Sequence, residues 1–204
     1  YIRWVAVSMG QRTHHLPPAA SDSGVQCLKA LIVIDVQEGL FGPEPKPAFS
    51  SDIIARINTL TQRARQHGVP VIFVQHEATT GEHFSYGSEA WQLASGLVTD
   101  ERDSFVRKTT PDSFLCTDLE ALLKQAGVLQ VVVCGYATEF CVDTTVRRAA
   151  GLGFEVILVS DAHTTHDKPH ASAAEIIAHH TATLPSIRSF GVQISAQESA
   201  AVVF

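Results

Sequence analysis

The sequence lacks any apolar run of the roughly 20 residues that a membrane-spanning helix needs. It also lacks clusters of Lys and Arg, which number 15 against 21 Asp and Glu, so the net charge is −6. An acidic chain without a basic patch disfavours nucleic acids and anionic membranes as partners. We therefore expect the ligand to be a small molecule.

Cysteine is scarce, and its spacing does not indicate redox chemistry. The four residues are Cys27, Cys116, Cys134 and Cys141, and no two of them form a Cys-x-x-Cys pair. A chain of 204 residues with 45 % hydrophobic residues can bury a full core without disulfides. Free thiols are typical of a reducing compartment, which predicts a cytoplasmic protein.

Nucleotide-binding motifs are missing from the place where this type of sequence would carry them. The segment 38–43 follows the first predicted strand and matches neither Gly-x-Gly-x-x-Gly nor a P-loop. No cofactor is therefore predicted. The chain has 10 His residues, so a papain-like Cys–His pair is not excluded by counting alone.

Residues 1–26 differ in composition from the rest of the chain. A short apolar start is interrupted by Arg3 and followed by a stretch rich in His, Pro, Ser and Ala, which is unlike a signal peptide. We interpret 1–26 as an N-terminal extension or an expression remnant, in preference to a strand that packs on a partner subunit. Residues 27–204 are then one domain.

Apolar segments rich in β-forming residues alternate with helical patterns along that domain. The predicted strands are Leu31–Val36, Val71–Gln75, Ser104–Arg107, Leu129–Cys134, Glu155–Val159 and Val192–Ser195. Helices are predicted around 53–60 and 119–123, and over Thr138–Ala150 and Ala174–Thr181. This alternation predicts an α/β fold with a mostly parallel sheet covered on both faces. The long polar segment Glu77–Asp103 is predicted to be a binding loop or lid.

The segment Val131–Cys141 contains the best candidate for a nucleophile. Its apolar residues predict a buried strand that ends at Gly135, and Thr138 is a suitable helix N-cap. Cys141 then falls in the first helical turn, where the helix dipole and unpaired N–H groups favour a thiolate. The alternative is that Cys141 simply packs in the core, as most free cysteines do.

Two other predicted strand ends carry charged residues, Asp35 and Lys108. The carboxyl ends of the strands form the usual ligand site of an open α/β sheet, so both side chains are expected near Cys141. Lys108 would stabilise a thiolate, and Asp35 would take and return the thiol proton. N–H groups of the Gly135–Cys141 turn would hold an oxyanion. The alternatives are that Asp35 caps a turn and that Lys108 is a surface lysine.

Together these motifs resemble the isochorismatase-like cysteine hydrolases, a family that includes nicotinamidases and N-carbamoylsarcosine amidohydrolases. The resemblance covers about residues 28–204, so 27–204 is expected to be an isochorismatase-like hydrolase domain. It is carried by Asp35 with Gln37, Lys108 within Arg107–Thr109 followed by Phe114, Gly135–Cys141, Asp161–Thr165 and Ala178–His180. It implies a catalytic triad in which Cys141 is the nucleophile, Asp35 the general acid and base, and Lys108 the supporting cation.

The resemblance also implies the architecture and the surroundings of that triad. The expected fold is a three-layer α/β/α arrangement around a six-stranded parallel sheet in the Rossmann-like order 3-2-1-4-5-6. A cis peptide bond between Tyr136 and Ala137 would direct the N–H groups of Ala137 and Cys141 into an oxyanion hole. Family members usually form dimers or tetramers, which makes the tail Ala200–Phe204 and the helix around His179 candidate interfaces.

The candidate substrate-binding residues are Gln37, Phe41, Trp91, Phe114 and Phe140, although aromatics at these positions are equally compatible with the core. Nicotinamidases carry a metal site with an Asp-x-His pair after the second strand. The corresponding segment here offers only His83 and Glu77 as ligands, so no metal is predicted. The loosely spaced set His163, His166 and His170 is interpreted as structural or surface.

The retention of Cys141 favours hydrolysis of a small amide or carbamoyl C–N bond through a covalent thioester. One alternative is an isochorismatase-type vinyl-ether or ester hydrolase in which Asp35 is the acid. Another is a non-catalytic member of the fold that only binds a ligand. The three hypotheses differ in whether turnover requires Cys141.

Overall fold

The structure, a computed structural model, describes residues 29–81 and 83–204. The N-terminal extension predicted at 1–26 and Cys27 lie outside these described residues. The six strands are β1 (Lys29–Ile34), β2 (Val71–His76), β3 (Ser104–Lys108), β4 (Gln130–Tyr136), β5 (Glu155–Thr164) and β6 (Ile194–Gln197). They form one parallel sheet in the order β3-β2-β1-β4-β5-β6, which confirms the predicted topology.

Helices cover both faces of the sheet. They are α1 (Glu38–Phe41), α2 (Ser50–Gln66), α3 (Leu119–Gln125), α4 (Asp143–Gly151) and α5 (Ala173–Thr183), with 3-10 turns at Leu184–Ser186 and Ser199–Ala201. The single helix predicted over Thr138–Ala150 is wrong in its first turn, because Thr138–Val142 is π-helical and α4 begins only at Asp143. None of the helices in the described part of the chain has the length and apolar character needed to cross a bilayer.

The apolar side chains of the strands divide between two buried clusters, one on each face of the sheet. In β1, Ile32 and Ile34 belong to one cluster, whereas Leu31 and Val33 belong to the other. Helices α3 and α4 pack on the first cluster and α2 packs on the second. Burial on both faces is what a near-continuous apolar strand predicts for a parallel sheet.

Strand β4 does not end at Gly135 as predicted, but continues through it to Tyr136. Gly135 has φ +120°, and a Cβ at this position would lie 2.1 Å from the carbonyl oxygen of Ile34. Glycine is therefore required here by close backbone approach rather than by a strand end. Beyond Tyr136 the chain leaves the sheet and begins the turn that carries Cys141.

Candidate active site

The side chains of Asp35, Lys108 and Cys141 meet at the carboxyl ends of the strands. Lys108 Nζ lies 2.6 Å from Asp35 Oδ2 and 3.3 Å from Cys141 Sγ. Both charged side chains are almost fully buried, with 0 % of Lys108 and 3 % of Asp35 exposed. The alternative that Lys108 is a surface lysine is therefore wrong.

Each member of this group comes from a different strand end. Asp35 follows β1 with φ +50°, a left-handed conformation that costs a non-glycine residue on the order of 1–3 kcal/mol. Lys108 is the last residue of β3, and β2 separates β3 from β1 in the sheet. The lysine side chain therefore reaches past the end of β2 to contact Asp35, a distance that suits its four-carbon chain.

The ammonium group of Lys108 has a partner for each of its three protons. Besides Asp35 and Cys141, Nζ donates to the carbonyl oxygen of Thr110 at 3.1 Å. A buried ion pair is retained only where hydrogen bonds compensate the loss of solvation. By contrast, Asp35 Oδ1 is buried without a hydrogen-bond partner among the described residues. That oxygen is available to receive a proton.

The thiol of Cys141 is not the stabilised thiolate predicted from a place in the first turn of a helix. Burial, and then the negative charge of Asp35, raise the pKa of Cys141 to about 12, although the charge of Lys108 acts in the opposite direction. The thiol is therefore protonated at neutral pH. A nucleophilic Cys141 needs a base to remove its proton, and Asp35 is the carboxylate beside it.

The turn that presents Cys141 also differs from the predicted helix start. Ala137, rather than Thr138, occupies the N-cap position, and no side chain caps the turn. The Thr138 hydroxyl instead lies 2.8 Å from His163 Nδ1. The peptide bond between Tyr136 and Ala137 is cis. The oxyanion hole formed by the N–H groups of Ala137 and Cys141 stays a prediction.

Two of the candidate substrate-binding residues, Gln37 and Trp91, are linked to each other and to β2. Gln37 Nε2 donates to the carbonyl oxygens of His76 and Trp91 at 2.9 Å, and Gln37 Oε1 accepts from the His76 N–H at 2.8 Å. The fully buried Gln37 thus holds the 77–103 loop against the sheet. Trp91 Nε1 is buried without a hydrogen-bond partner in the described residues.

The three phenylalanines predicted near the pocket have different environments. Phe41 is buried and contacts the Tyr136 ring edge-on, at 5.9 Å between centroids. Phe114 lies in the core and stacks on Phe154. Phe140 is 54 % exposed, one residue before Cys141. Phe140 is therefore the one of these three that solvent, and a ligand, can reach without a rearrangement of the core.

The residues considered for a metal site do not converge. Glu77 pairs with Arg107 at 3.6 Å, and the ring of His83 packs against Phe84. Within 29–81 and 83–204, no group of three or more His, Cys, Asp or Glu side chains is arranged to hold a metal ion. The histidines taken as structural include His166, whose Nε2 lies 2.9 Å from the Pro45 carbonyl oxygen.

Sequence reasoning missed His76 as a residue of the site. It pairs with Lys108 in the β2–β3 register, so both side chains share one face of the sheet. Its Nδ1 is buried and unpartnered within the described residues, and burial, followed by the charge of Lys108, lowers the pKa of His76. The sequence feature that could have indicated His76 is its position as the last residue of β2, beside the strand ends that carry Asp35 and Lys108.

Comparison with known proteins agrees with this architecture. The family model described as Isochorismatase domain matches residues 29–189. A streptothricin hydrolase of Streptomyces noursei is 38 % identical over 145 residues, covering 71 % of this chain and 52 % of that protein. Nicotinamidase 3 of Arabidopsis thaliana is 32 % identical over 156 residues, covering 69 % and 75 %. The chain belongs to the isochorismatase family.

A solved structure supports the same assignment. The crystal structure of an isochorismatase family protein superposes with a TM-score of 0.77 at 35 % sequence identity, covering 85 % of this chain and all of the other. The chain spans only about half to three fifths of the length of two streptothricin hydrolases that it matches. This chain thus shares its fold with that structure and its family with these relatives, and the family is one of hydrolases.

Proposed function

We propose that this protein hydrolyses the C–N bond of a small amide or carbamoyl compound through a thioester on Cys141. The observation that carries the proposal is the position of Lys108 Nζ, which contacts both Asp35 Oδ2 and Cys141 Sγ inside the protein. One buried cation thus joins a carboxylate that can accept a proton to a thiol that must lose one.

In the first half of the reaction, Asp35 takes the thiol proton as Cys141 Sγ bonds to the substrate carbonyl carbon. Charge then accumulates on the carbonyl oxygen, where backbone N–H donors at the turn would be worth about 2.7–4 kcal/mol each. The tetrahedral intermediate collapses by breaking the C–N bond, and the proton on Asp35 passes to the departing nitrogen. The products are the amine, or ammonia, and a thioester.

In the second half, Asp35 removes a proton from a water molecule that attacks the thioester carbonyl carbon. Breaking the C–S bond releases a carboxylic acid, or a carbamic acid from a carbamoyl substrate, and the proton on Asp35 returns to sulfur. Throughout, Lys108 stays in contact with the Asp35 carboxyl group and offsets the negative charge when it is on sulfur. No group other than water is needed to complete the cycle.

The name of one relative, a nicotinamidase, supports an amide over other bonds. The half-buried thiol of Cys141 supports the same choice, because a nucleophile is needed to form the acyl-enzyme and is dispensable in direct protonation of an ether.

The test is a panel of small primary amides and carbamoyl compounds with ammonia release as the readout. Cys141→Ala is expected to remove the activity, and Asp35→Asn and Lys108→Met to lower kcat by at least about a hundredfold, as for loss of a general acid–base group. The matched control Lys124→Met removes an exposed lysine on α3 that pairs with Glu120, and it should leave the rates unchanged. Unchanged turnover in Cys141→Ala would contradict the proposal.

The high pKa of Cys141 favours one alternative, a vinyl-ether or ester hydrolase in which protonated Asp35 is the acid and sulfur stays neutral. In that case Cys141→Ala retains substantial turnover, whereas Asp35→Asn does not. A protein that only binds its ligand would show saturable binding in calorimetry and no turnover on either class of substrate.

The three cysteines in the described part of the chain, Cys116, Cys134 and Cys141, are free, which supports a reducing cytoplasmic location. Fractionation of cells expressing the native gene would test this location. We also expect a homodimer or homotetramer. The tail supports only a limited role at that interface, because Val202 is buried in the core of its own chain whereas Val203 is exposed. Light scattering that gives the mass of one chain would contradict an oligomer.

A further inference from the structure

A buried hydrogen-bonded bridge joins the Cys141 turn to two other elements. The imidazole of His163 lies between two threonine hydroxyls, with Nδ1 2.8 Å from Thr138 Oγ1 and Nε2 3.0 Å from Thr181 Oγ1. Thr138 is the first residue of the π-helical turn that contains Cys141, His163 is in β5, and Thr181 is in α5. Thr138 and His163 are 0 % and 1 % exposed, so water does not compete for the hydrogen bond between them.

An irregularity in the sheet brings His163 to this place. The pairing of β4 with β5 passes from Val133 with Leu158 directly to Gly135 with His163, so β5 advances five residues while β4 advances two. Extra residues of this kind bend a strand and redirect a side chain, and they are common beside active sites. The result is that His163 lies opposite Gly135, immediately before the turn that carries the nucleophile.

The protonation state of His163 suits a bridge between two hydroxyls. Burial, with a smaller contribution from the charge of His180 on α5, lowers the pKa of His163 to about 4, and Asp161 on its own strand acts in the opposite direction. The imidazole is therefore neutral at physiological pH and has one N–H donor and one acceptor nitrogen. Each threonine hydroxyl can supply the complementary group, so both hydrogen bonds form together.

The start of the Cys141 turn lacks a side-chain cap, so contacts from other elements, the bridge among them, hold it in place. The N-cap residue Ala137 provides no side-chain hydrogen bond, and its carbonyl oxygen is shared between the N–H groups of Phe140 and Val142 at 3.0 and 3.1 Å. π-Helical turns are rare and occur most often at functional sites, where surrounding contacts hold them. The Thr138 hydroxyl supplies such a contact from inside the turn.

We propose that His163 is a positioning residue for Cys141, acting through Thr138 to keep Sγ in contact with Lys108 and facing Asp35. The role in turnover rests on the proposed function, since it serves a reaction at Cys141. The geometric role does not rest on the proposed function, because the reactivity of the Cys141 thiol reports the position of Sγ whether or not the protein has that activity. His163 and Thr138 are thus assigned to the site as residues that position the Cys141 turn.

The experiment compares variants that remove or retain the bridge. Thr138→Val removes the hydroxyl at constant shape, Thr138→Ser retains the hydroxyl, and His163→Phe removes both nitrogens. The matched control is Thr61→Val on α2, which removes an equally buried hydroxyl bonded to the Asn58 carbonyl oxygen on the other face of the sheet. Circular dichroism and urea unfolding establish that each variant is folded.

The readout is the rate at which iodoacetamide alkylates Cys141 between pH 7 and 10, measured by peptide mass spectrometry, with exposed Cys116 as the internal reference. A released turn lets the thiol leave Asp35 and reach water, so the thiolate forms at lower pH. Thr138→Val and His163→Phe should raise the Cys141 rate at pH 8 about tenfold, equal to one pKa unit. Thr138→Ser and Thr61→Val should stay within about twofold of the unsubstituted protein.

Two results would overturn the proposal: an unchanged Cys141 rate in folded Thr138→Val, or the same rise in Thr61→Val, which would mean general loosening. If Thr138→Val does not fold, Thr181→Val decides in the same assay, because it removes only the half-exposed end of the bridge. The outcome is separable from that of the proposed function. A Cys141→Ala variant with full activity would reject catalysis by Cys141 and leave the alkylation result standing.

Discussion

Three acceptors surround the ammonium group of Lys108 inside the protein: the carboxylate of Asp35, the carbonyl oxygen of Thr110 and the sulfur of Cys141. Only one of the three is an anion. When Asp35 takes the thiol proton, the negative charge passes from Asp35 to sulfur, where the same cation is already in contact. In the resting site, burial and the negative charge of Asp35 raise the pKa of the Cys141 thiol and keep it neutral.

Gly135 is the residue whose replacement should be most damaging, because its missing Cβ is what lets β4 lie against β1. In Gly135→Ala the Cβ would meet the backbone oxygen and nitrogen of Ile34 at 2.1 and 2.6 Å, in the middle of the sheet where neither can move. We expect a loss of at least about 4 kcal/mol in the free energy of unfolding, measured by urea denaturation.

The control is Gly153→Ala. Gly153 also has positive φ, +92°, but no atom lies within 4 Å of the position that a Cβ would take. Backbone strain alone then costs about 1–2 kcal/mol. Equal destabilisation of the two variants would show that conformation, rather than the approach to Ile34, makes glycine necessary at 135.

At the scale of elements, the long loop between β2 and β3 is held by several hydrogen bonds, and those of the Gln37 side chain are buried. The side chain of Gln37 bonds the backbone of His76 at the end of β2 and of Trp91 within the loop. Gln75 adds a second hydrogen bond to the Trp91 carbonyl oxygen at 2.9 Å. The loop is therefore anchored to the same strand ends that carry Asp35 and Lys108, so its position and the geometry of the site depend on each other.

Gln37→Leu should release this loop while the sheet remains intact. The substitution preserves size but removes the Gln37 partner of the His76 N–H and carbonyl oxygen, and leaves the Trp91 carbonyl oxygen with Gln75 alone among these two donors. We expect amide hydrogen exchange in 77–93 to become at least about tenfold faster, equivalent to about 1.4 kcal/mol, with β4 and β5 unaffected.

The matched substitution Gln92→Leu lies in the same loop, where the exposed Gln92 makes one long hydrogen bond of 3.3 Å to Gly87. It should change exchange rates by less than about threefold. Faster exchange spread over the whole molecule in Gln37→Leu would mean that Gln37 supports the core rather than the loop.

For the whole molecule, the features predictable from sequence are those that a local pattern determines. The apolar run 131–134 and its counterparts indicated the strands, and Asp35 and Lys108 were recognisable as charges placed where strands end. The irregular β4–β5 pairing was not predictable, because it depends on where His163 and Thr138 meet in space. The pKa of Cys141 was misjudged for the same reason, since burial and Asp35, distant in sequence, outweigh the local helix dipole.

The buried His163 makes the stability of the whole protein sensitive to mild acid. Its pKa is about 4 when folded and near 6.5 when unfolded, so below pH 6.5 the unfolded chain binds a proton that the folded one does not. Stability is therefore complete above pH 6.5 and falls as the pH is lowered towards 4. The linkage amounts to about 2–3 kcal/mol at pH 4.5.

The test is to compare the protein with His163→Asn by urea denaturation at pH 7 and at pH 4.5. Asparagine does not titrate, whereas both proteins have the same carboxylates. We therefore expect the loss of unfolding free energy between pH 7 and pH 4.5 to be smaller in His163→Asn by about this amount. An equal pH dependence in the two proteins would contradict this expectation and would mean that His163 is charged or solvated in the folded state.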